Sequence, residues 1–436
     1  MTRRPPSNMQ ILFVTSEVPF PPDNGVRIVS YHAMRLMHEA GHQVHLMTLG
    51  GEGREDCSAR LAQVAPLCAS KPLAVPMPPR KRAAVALRSL VSNRMFFHER
   101  FWSNEFASLL RQRISDLSPH VVHLDTVGMA QYVECVPLQV GAVASINDSY
   151  TLTLENLLKA ERYSGVEKLL RKIQLRQSRR FESSVYPNFG AVHTMTQVDA
   201  DYLTNMNPAI RPFVIPNGVD EELSAVASVT QGQTDVIFIG ELAGNNLKSL
   251  QRFLELAWRR IRREQPKLTL HVIGRHGDAA RQVCELANSI GGVVFRGYVA
   301  DLAEAMAVAG IAIVPLDKNC GLINKAIQSM ACGHAIVTLE SGIAGMPAAA
   351  DGVNCVAVDS LQSMADAIIA LATSKDRLTR IQQAAAATAA AKYSWNSRQR
   401  SYEHMYESAW AVANHREVSV AVRPVTLAEA KHPSIK

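Results

Sequence analysis

Lys325 opens the chemical reading of this sequence. It lies in the segment Gly321–Thr338 (GLINKAIQSMACGHAIVT), after the apolar run Ile311–Pro315 and the polar loop Asp317–Cys320. A helix that begins in this segment offers free backbone N–H groups and a positive dipole end, both suited to phosphate. An ammonium in the first turn adds a cationic contact to a diphosphate. Met330-Ala331-Cys332-Gly333 closes the helix with small residues that allow tight packing. An ordinary helix–strand unit without a ligand has the same spacing, so spacing alone leaves both readings open.

Other residues compete for a role. Asp23-Asn24-Gly25 sits in the loop PFPPDNG after the first apolar strand. In a doubly wound fold that loop touches ligands, although Asp, Asn and Gly also favour plain turns. Arg27 follows it and suits either an anion or solvent. Asn147-Asp148-Ser149-Tyr150 follows a predicted strand. Asp148 suits acceptance of a hydroxyl proton, with capping of the next helix as the competing role. His123 and Asp125 alternate on a strand and share a face, which allows a paired polar site; a lone strand histidine is more often structural, so the pair ranks below Asp148. Asp199-Ala200-Asp201 has the form DxD, but falls in a predicted helix where positions i and i+2 diverge. It reads as helix surface, and no metal site is expected. GxGxxG, GxxxxGK[ST] and GxSxG are all absent, which weakens dehydrogenase, kinase and hydrolase readings.

These residues need a scaffold. Gln10–Val14, a helix over about Val26–Ala40 ended by Gly41, and the strand Gln43–Thr48 make a βαβ unit. Helices are predicted within Arg80–Leu117 and, as one long basic helix, over Leu154–Val185. Strands are predicted at Val121–Leu124, Val143–Ile146 and Ala191–Met195. Arg211–Asp220 (RPFVIPNGVD) reads as a linker. The alternation then restarts: strands at Asp235–Ile239, Leu268–Ile273, Val293–Arg296, Ile311–Pro315 and Ala335–Leu339, with helices between. The expected architecture is α/β, two doubly wound domains facing each other across a cleft. The domains are expected at 1–212 and 213–392. A terminal helix at 393–414, carrying Tyr393, Trp395, Tyr402, Tyr406 and Trp410, is expected to pack back on the first domain. A disordered tail is expected at 415–436.

Bulk properties narrow the classes. A chain of 436 residues, 47% hydrophobic, exceeds one ordinary core. No apolar run reaches membrane-spanning length, and no signal-peptide pattern precedes the first strand. A cytoplasmic protein, or one peripheral to the inner face of the cytoplasmic membrane, is the expectation. Seven scattered cysteines without CxxC spacing read as free thiols. The charge of +7 concentrates in Arg80–Arg94 and Lys168–Arg180. Solvated helix faces, an anionic-lipid patch and a nucleic-acid surface compete for it, the last without interleaved aromatics to support it.

In its ordered motifs the chain resembles the retaining GT-B glycosyltransferases of family 4, most closely bacterial transferases of polysaccharide assembly. Asn324-Lys325, Met330-Ala331 and Gly333 match the family's N-K…A-M-A-x-G helix. Phe13–Phe20 with Asn24-Gly25, and Gly41–Val44, resemble its N-terminal glycine loop and GHxV pattern. Val214–Asp220 (VIPNGVD) matches its interdomain signature. Phe238–Gly240, Val272–Arg275, Phe295–Asp301 and Tyr393–Trp395 occupy the places of its later motifs. The resemblance runs from about Gln10 to Tyr406. It implies GT-B with two Rossmann-like domains, and a hexose transferred with retention from a nucleoside diphosphate sugar to a glycan or lipid-linked acceptor. That transfer belongs to bacterial cell-surface polysaccharide biosynthesis. No cofactor or metal is implied, because the helix dipole and cationic side chains neutralise the leaving diphosphate.

The expected catalytic residues are Lys325, which the resemblance supports, and Asp148, from its place after a predicted strand. The implied donor contacts are Asn24, Gly25, Gly240, Lys248, Arg275, Val299, Leu322, Ile323, Asn324 and Gln328. The sequence departs from the family where two glutamates usually stand, at Cys320 and Gln328. Gln328 retains a hydrogen bond to ribose but without charge assistance. A GT-B-fold nucleotide-sugar epimerase and a degenerate, non-catalytic sugar-binding homologue are the alternatives.

Overall fold

The computed structural model describes residues 4–52, 57–77, 81–160, 165–299, 301–316, 324–343, 346 and 348–415. Cys320, Gly321, Leu322, Ile323 and the tail beyond His415 lie outside them. The chain divides into two compact units, residues 1–215 with 399–436, and residues 216–398.

The first unit is built on a seven-stranded sheet ordered β3-β2-β1-β4-β5-β6-β7. Its strands are β1 (Gln10–Thr15), β2 (Gln43–Glu52), β3 (Leu73–Met77), β4 (Val121–Asp125), β5 (Gly141–Asn147), β6 (Ala191–Thr194) and β7 (Pro212–Val214). Every pairing is parallel. Parallel strands need crossovers and are covered on both faces, which is why β1 and β4 are buried almost throughout. The order reverses beside β1, which pairs with both β2 and β4.

The second unit repeats the plan with six strands, β10-β9-β8-β11-β12-β13. These are β8 (Val236–Ile239), β9 (Leu270–Ile273), β10 (Val293–Gly297), β11 (Ile311–Val314), β12 (Ala335–Leu339) and β13 (Val356–Val358). Here the order reverses beside β8, between β9 and β11. In open α/β sheets ligands bind outside the carboxyl ends of the strands at such reversals. The fold therefore offers one candidate place in each unit.

The structure revises several sequence readings. The predicted helix over Leu154–Val185 is two helices, Tyr150–Ala160 and Gly165–Val185. Gly165 takes a left-handed φ of 53°, a conformation that favours glycine. The first unit extends to Ile215 instead of 212, because β7 adds to the sheet and the Ile215 amide donates to the Thr194 carbonyl.

The terminal aromatics are divided between the units. Tyr393 and Trp395 belong to the second unit, and the helix Gln399–His415 to the first. That helix buries Tyr402, Tyr406 and Trp410. It lies so close to the sheet that a Cβ on Gly190 would come within 2.7 Å of Ala409 Cα.

Candidate functional site

In the second unit the reversal is a small polar assembly. β8 is followed by Gly240, whose φ is 152°. The Gly240 amide donates to the Ile273 carbonyl, the Gly274 amide to the Gly297 carbonyl, and the Leu242 amide to the Arg275 carbonyl. The ends of β8, β9 and β10 are thereby laced together. Their approach is close enough that a Cβ on Gly274 would meet the Gly240 carbonyl oxygen at 2.0 Å. The helix Gly244–Phe253 follows and carries Asn246 in its first turn.

From the other side of the reversal comes the helix Asn324–Ala331. Lys325 Nζ donates to Asn246 Oδ1 at 2.6 Å and lies 5.3 Å from the centre of the Phe238 ring. A Cβ on Gly240 would stand 3.0 Å from Asn246 Nδ2 and 3.4 Å from Lys325 Nζ. Glycine there leaves the ammonium and amide an open backbone approach. Asn324 is placed in turn by Asn217, whose Nδ2 donates to Asn324 Oδ1 at 2.8 Å. Asn217 Oδ1 is buried without a hydrogen-bond partner among the described residues.

The VIPNGVD signature thus has a physical role inside the second unit. Gly218 lies under Trp395, whose ring would be 2.5 Å from a Cβ there. The Val219 amide donates to the Tyr393 carbonyl at 2.7 Å.

The other expected donor contacts fall at varying distance from this assembly. The Arg275 guanidinium lies 4.6 Å from the centre of the exposed Tyr298 ring, joining the ends of β9 and β10. Val299 packs half-buried on the core beside it. Gln328 is half-buried and Lys248 exposed, and neither side chain is hydrogen-bonded among the described residues. Asn246 and Asn217 carry most of the geometry, yet neither was singled out from sequence.

In the first unit the reversal lies between β1 and β4. Asn24 caps the helix Gly25–Glu39, its Oδ1 accepting from the Arg27 amide at 2.9 Å. Arg27 pairs with Glu17 and Asp23. A Cβ on Gly25 would meet nothing within 4 Å, so the packing of the described residues does not itself demand glycine there.

Asp125, at the end of β4, is fully buried, and both carboxylate oxygens lack a hydrogen-bond partner among the described residues. Burial drives its pKa up to about 7, with nearby Glu17 adding like charge. The Ser30 hydroxyl and the Thr126 amide lie near enough to ease the charge a little. The Ser30 hydroxyl itself donates to the Val26 carbonyl at 3.1 Å. Thr126 has a φ of 69°, a strained value for a β-branched residue, and its Oγ1 is also buried and unpartnered among the described residues. On the adjacent strand end, Asn147 has a φ of 66° and an unpartnered buried Oδ1. Strain and orphaned polar atoms therefore coincide at the ends of β4 and β5. Native structures rarely leave such groups unexplained.

Asp148 does not cap the next helix. Ser149 does so, accepting from the Leu152 amide at 3.2 Å. Buried Glu182 accepts from the Ser149 hydroxyl and from the Tyr150 and Thr151 amides. The Asp148 carboxylate has no hydrogen bond among the described residues. It is exposed to solvent, although the surrounding chain is dense enough to desolvate it in part. Its pKa rises to about 6, through burial and then the neighbouring Asp199.

Two sequence readings change here. Asp199 is not helix surface: it is buried, accepting from the Ser149 amide at 2.9 Å and from Thr196 Oγ1. Its partner in the triplet, Asp201, is exposed and accepts from Gln197. His123 does not act as a pair with Asp125. It stacks on Phe13 at 4.6 Å, shares a 2.9 Å hydrogen bond with Tyr406, and is held neutral by burial, its pKa falling to about 3.

Known proteins show the same plan. Residues 23–223 match the family model described as Glycosyltransferase Family 4, and residues 233–374 match that described as Glycosyl transferases group 1. No curated protein matches the chain. Among solved structures, HepE of Anabaena in complex with UDP-glucose is 14% identical, covering 91% of this chain and 99% of its own, at a TM-score of 0.60. Sucrose-phosphate synthase from Thermosynechococcus elongatus is 14% identical over 91% of this chain and 98% of its own, at 0.65. The α,α-trehalose 6-phosphate synthase of Burkholderia multivorans is 13% identical, covering 93% and 100%, at 0.59. At such identity these structures establish the fold. Together with two consecutive family domains, they place the chain in the glycosyltransferases of GT-B fold, a family 4 domain followed by a group 1 domain.

Proposed function

We propose that the protein transfers a hexose, with retention, from a nucleoside diphosphate sugar to a glycan or lipid-linked acceptor in bacterial cell-surface polysaccharide biosynthesis. The observation that carries this reading is Lys325 at the reversal of the second sheet, beside Asn246 and the open backbone of Gly240. An ammonium, an amide and a helix start converge where a diphosphate is best bound. Lys325 stabilises the charge that develops on the leaving diphosphate, so the reading calls for no metal or cofactor. Arg275 and Tyr298, with Val299, offer a flat cationic and aromatic surface for a base. Gln328 serves the ribose, Lys248 assists the phosphates, and Asn24 and Gly25 face the sugars. Leu322 and Ile323 are retained as donor contacts from the motif alone.

On the first unit, Asp148 is assigned to the acceptor hydroxyl, because its carboxylate is uncommitted and its raised pKa suits proton acceptance. HepE has been solved with UDP-glucose, which makes that the first donor to try. Localisation is proposed as cytoplasmic, with peripheral contact at an anionic membrane. No described helix is long and apolar enough to span one.

The test is Lys325→Ala with a donor identified by thermal stabilisation. Turnover is expected to fall about a hundredfold or more, on the scale of lost transition-state charge stabilisation. Unchanged turnover would remove Lys325 from the mechanism.

A further inference from the structure

Two helices far apart in sequence adjoin on the surface of the first unit. Gln177 Nε2, in the helix Gly165–Val185, donates to the Ser89 carbonyl at 3.0 Å, and Ser89 lies in the helix Arg82–Ser92. The shorter helix touches the protein along a narrow edge, with only Val85 and Ser89 buried. At about 100° per residue, Ala83, Ala84, Leu87, Leu90 and Val91 fall on one arc, opposite that edge. Leu87 is 63% exposed and Val91 81%. The apolar stripe of this helix thus points outward, the reverse of the usual arrangement on a globular protein. The second helix does the same near its start, where Val166 is 73% and Leu169 58% exposed.

Basic residues border both stripes. Lys81, Arg82 and Arg88 flank the first, and Lys168 and Lys172 the second. None of these five forms an ion pair with a carboxylate among the described residues. Segment 80–94 carries five basic residues and no acidic one. Segment 165–180 carries six basic residues against Glu167 alone. Together they exceed the +7 of the whole chain, so the remainder is net acidic. The positive charge is therefore concentrated in these two segments.

We infer that this paired-helix face docks on an anionic lipid bilayer, with Leu87, Leu90, Val91, Val166 and Leu169 entering the interface and the flanking Lys and Arg meeting headgroup phosphates. Outward leucines between cations are the pattern of helices that lie in a membrane interface. A solvated charged helix has no use for the leucines, and a purely apolar partner has none for the cations. The inference rests on this surface and not on the donor site.

Cosedimentation of the full chain with vesicles of phosphatidylglycerol and phosphatidylcholine, against phosphatidylcholine alone, tests it. Binding is expected only to the anionic vesicles and should weaken as salt rises. Arg82→Gln and Arg88→Gln should each lower the partition coefficient about fivefold. Leu87→Glu with Val91→Glu should lower it about tenfold or more. These positions are exposed, and circular dichroism with thermal denaturation of each variant checks that the chain is still folded. Equal binding to neutral vesicles, or unaltered binding by the variants, would overturn the inference. So would a dimer, seen by sedimentation velocity, that Leu87→Glu and Val91→Glu dissolve, since the face would then belong to a second copy.

Discussion

Asp125 sets the terms at the residue scale. A buried carboxyl with a pKa of about 7 keeps its proton in the folded chain where the unfolded chain has lost it. Between about pH 4 and 7 the folded state then binds more protons, so this group's contribution to stability falls as pH rises. Asp125→Asn removes that dependence. Its stability relative to the parent should be more favourable at about pH 8 than at about pH 5, by chemical denaturation at both. A difference that does not vary with pH would mean the carboxyl is not so perturbed. Lys325 is legible in the sequence because it stands in the family's N-K…M-A-x-G helix, where spacing alone leaves a plain helix start equally open. The alternation around Asp125 hides its burial, and no local pattern marks Asn246 or Asn217. Burial is a tertiary property, and an asparagine's role depends on which distant residue it meets: here Lys325, 79 positions on, and Asn324, 107 positions on.

At the scale of elements, apolar runs carry the message, the edge strand β10 included, and the short or proline-bearing edge strands do not. β1, β4, β8, β11 and β12 are apolar runs that could be read directly. The sequence pattern does not mark β3, β7 or β13 as strands. β7 and β13 have three residues each, and Pro76 and Pro212 stand in β3 and β7, as edge strands allow. The site depends on how tightly strand ends abut. Gly274→Ala would drive a Cβ into the Gly240 carbonyl. It should cost about 1–3 kcal/mol of stability, since strand ends must part, and should weaken donor binding by displacing Gly240. Denaturation and nucleotide titration measure the two effects. Native stability together with native affinity would mean that the loop adjusts freely.

At the scale of the molecule, each unit closes with distant sequence. Tyr406, buried against His123 and Phe13, ties the last helix to the first sheet. Tyr406→Ala should cost about 3–5 kcal/mol, as large-to-small aromatic changes do. Hydrogen exchange should show the loss in β4 and β5 and leave β8–β13 protected, because the helix belongs to the first unit. The central claim, a nucleotide diphosphate held at the reversal of the second sheet, is tested most directly by calorimetric titration of UDP into the parent chain and Lys325→Ala. Saturable binding by the parent, weakened about tenfold or more in the variant, is the predicted result. No binding by the parent, or equal binding by both, would contradict it.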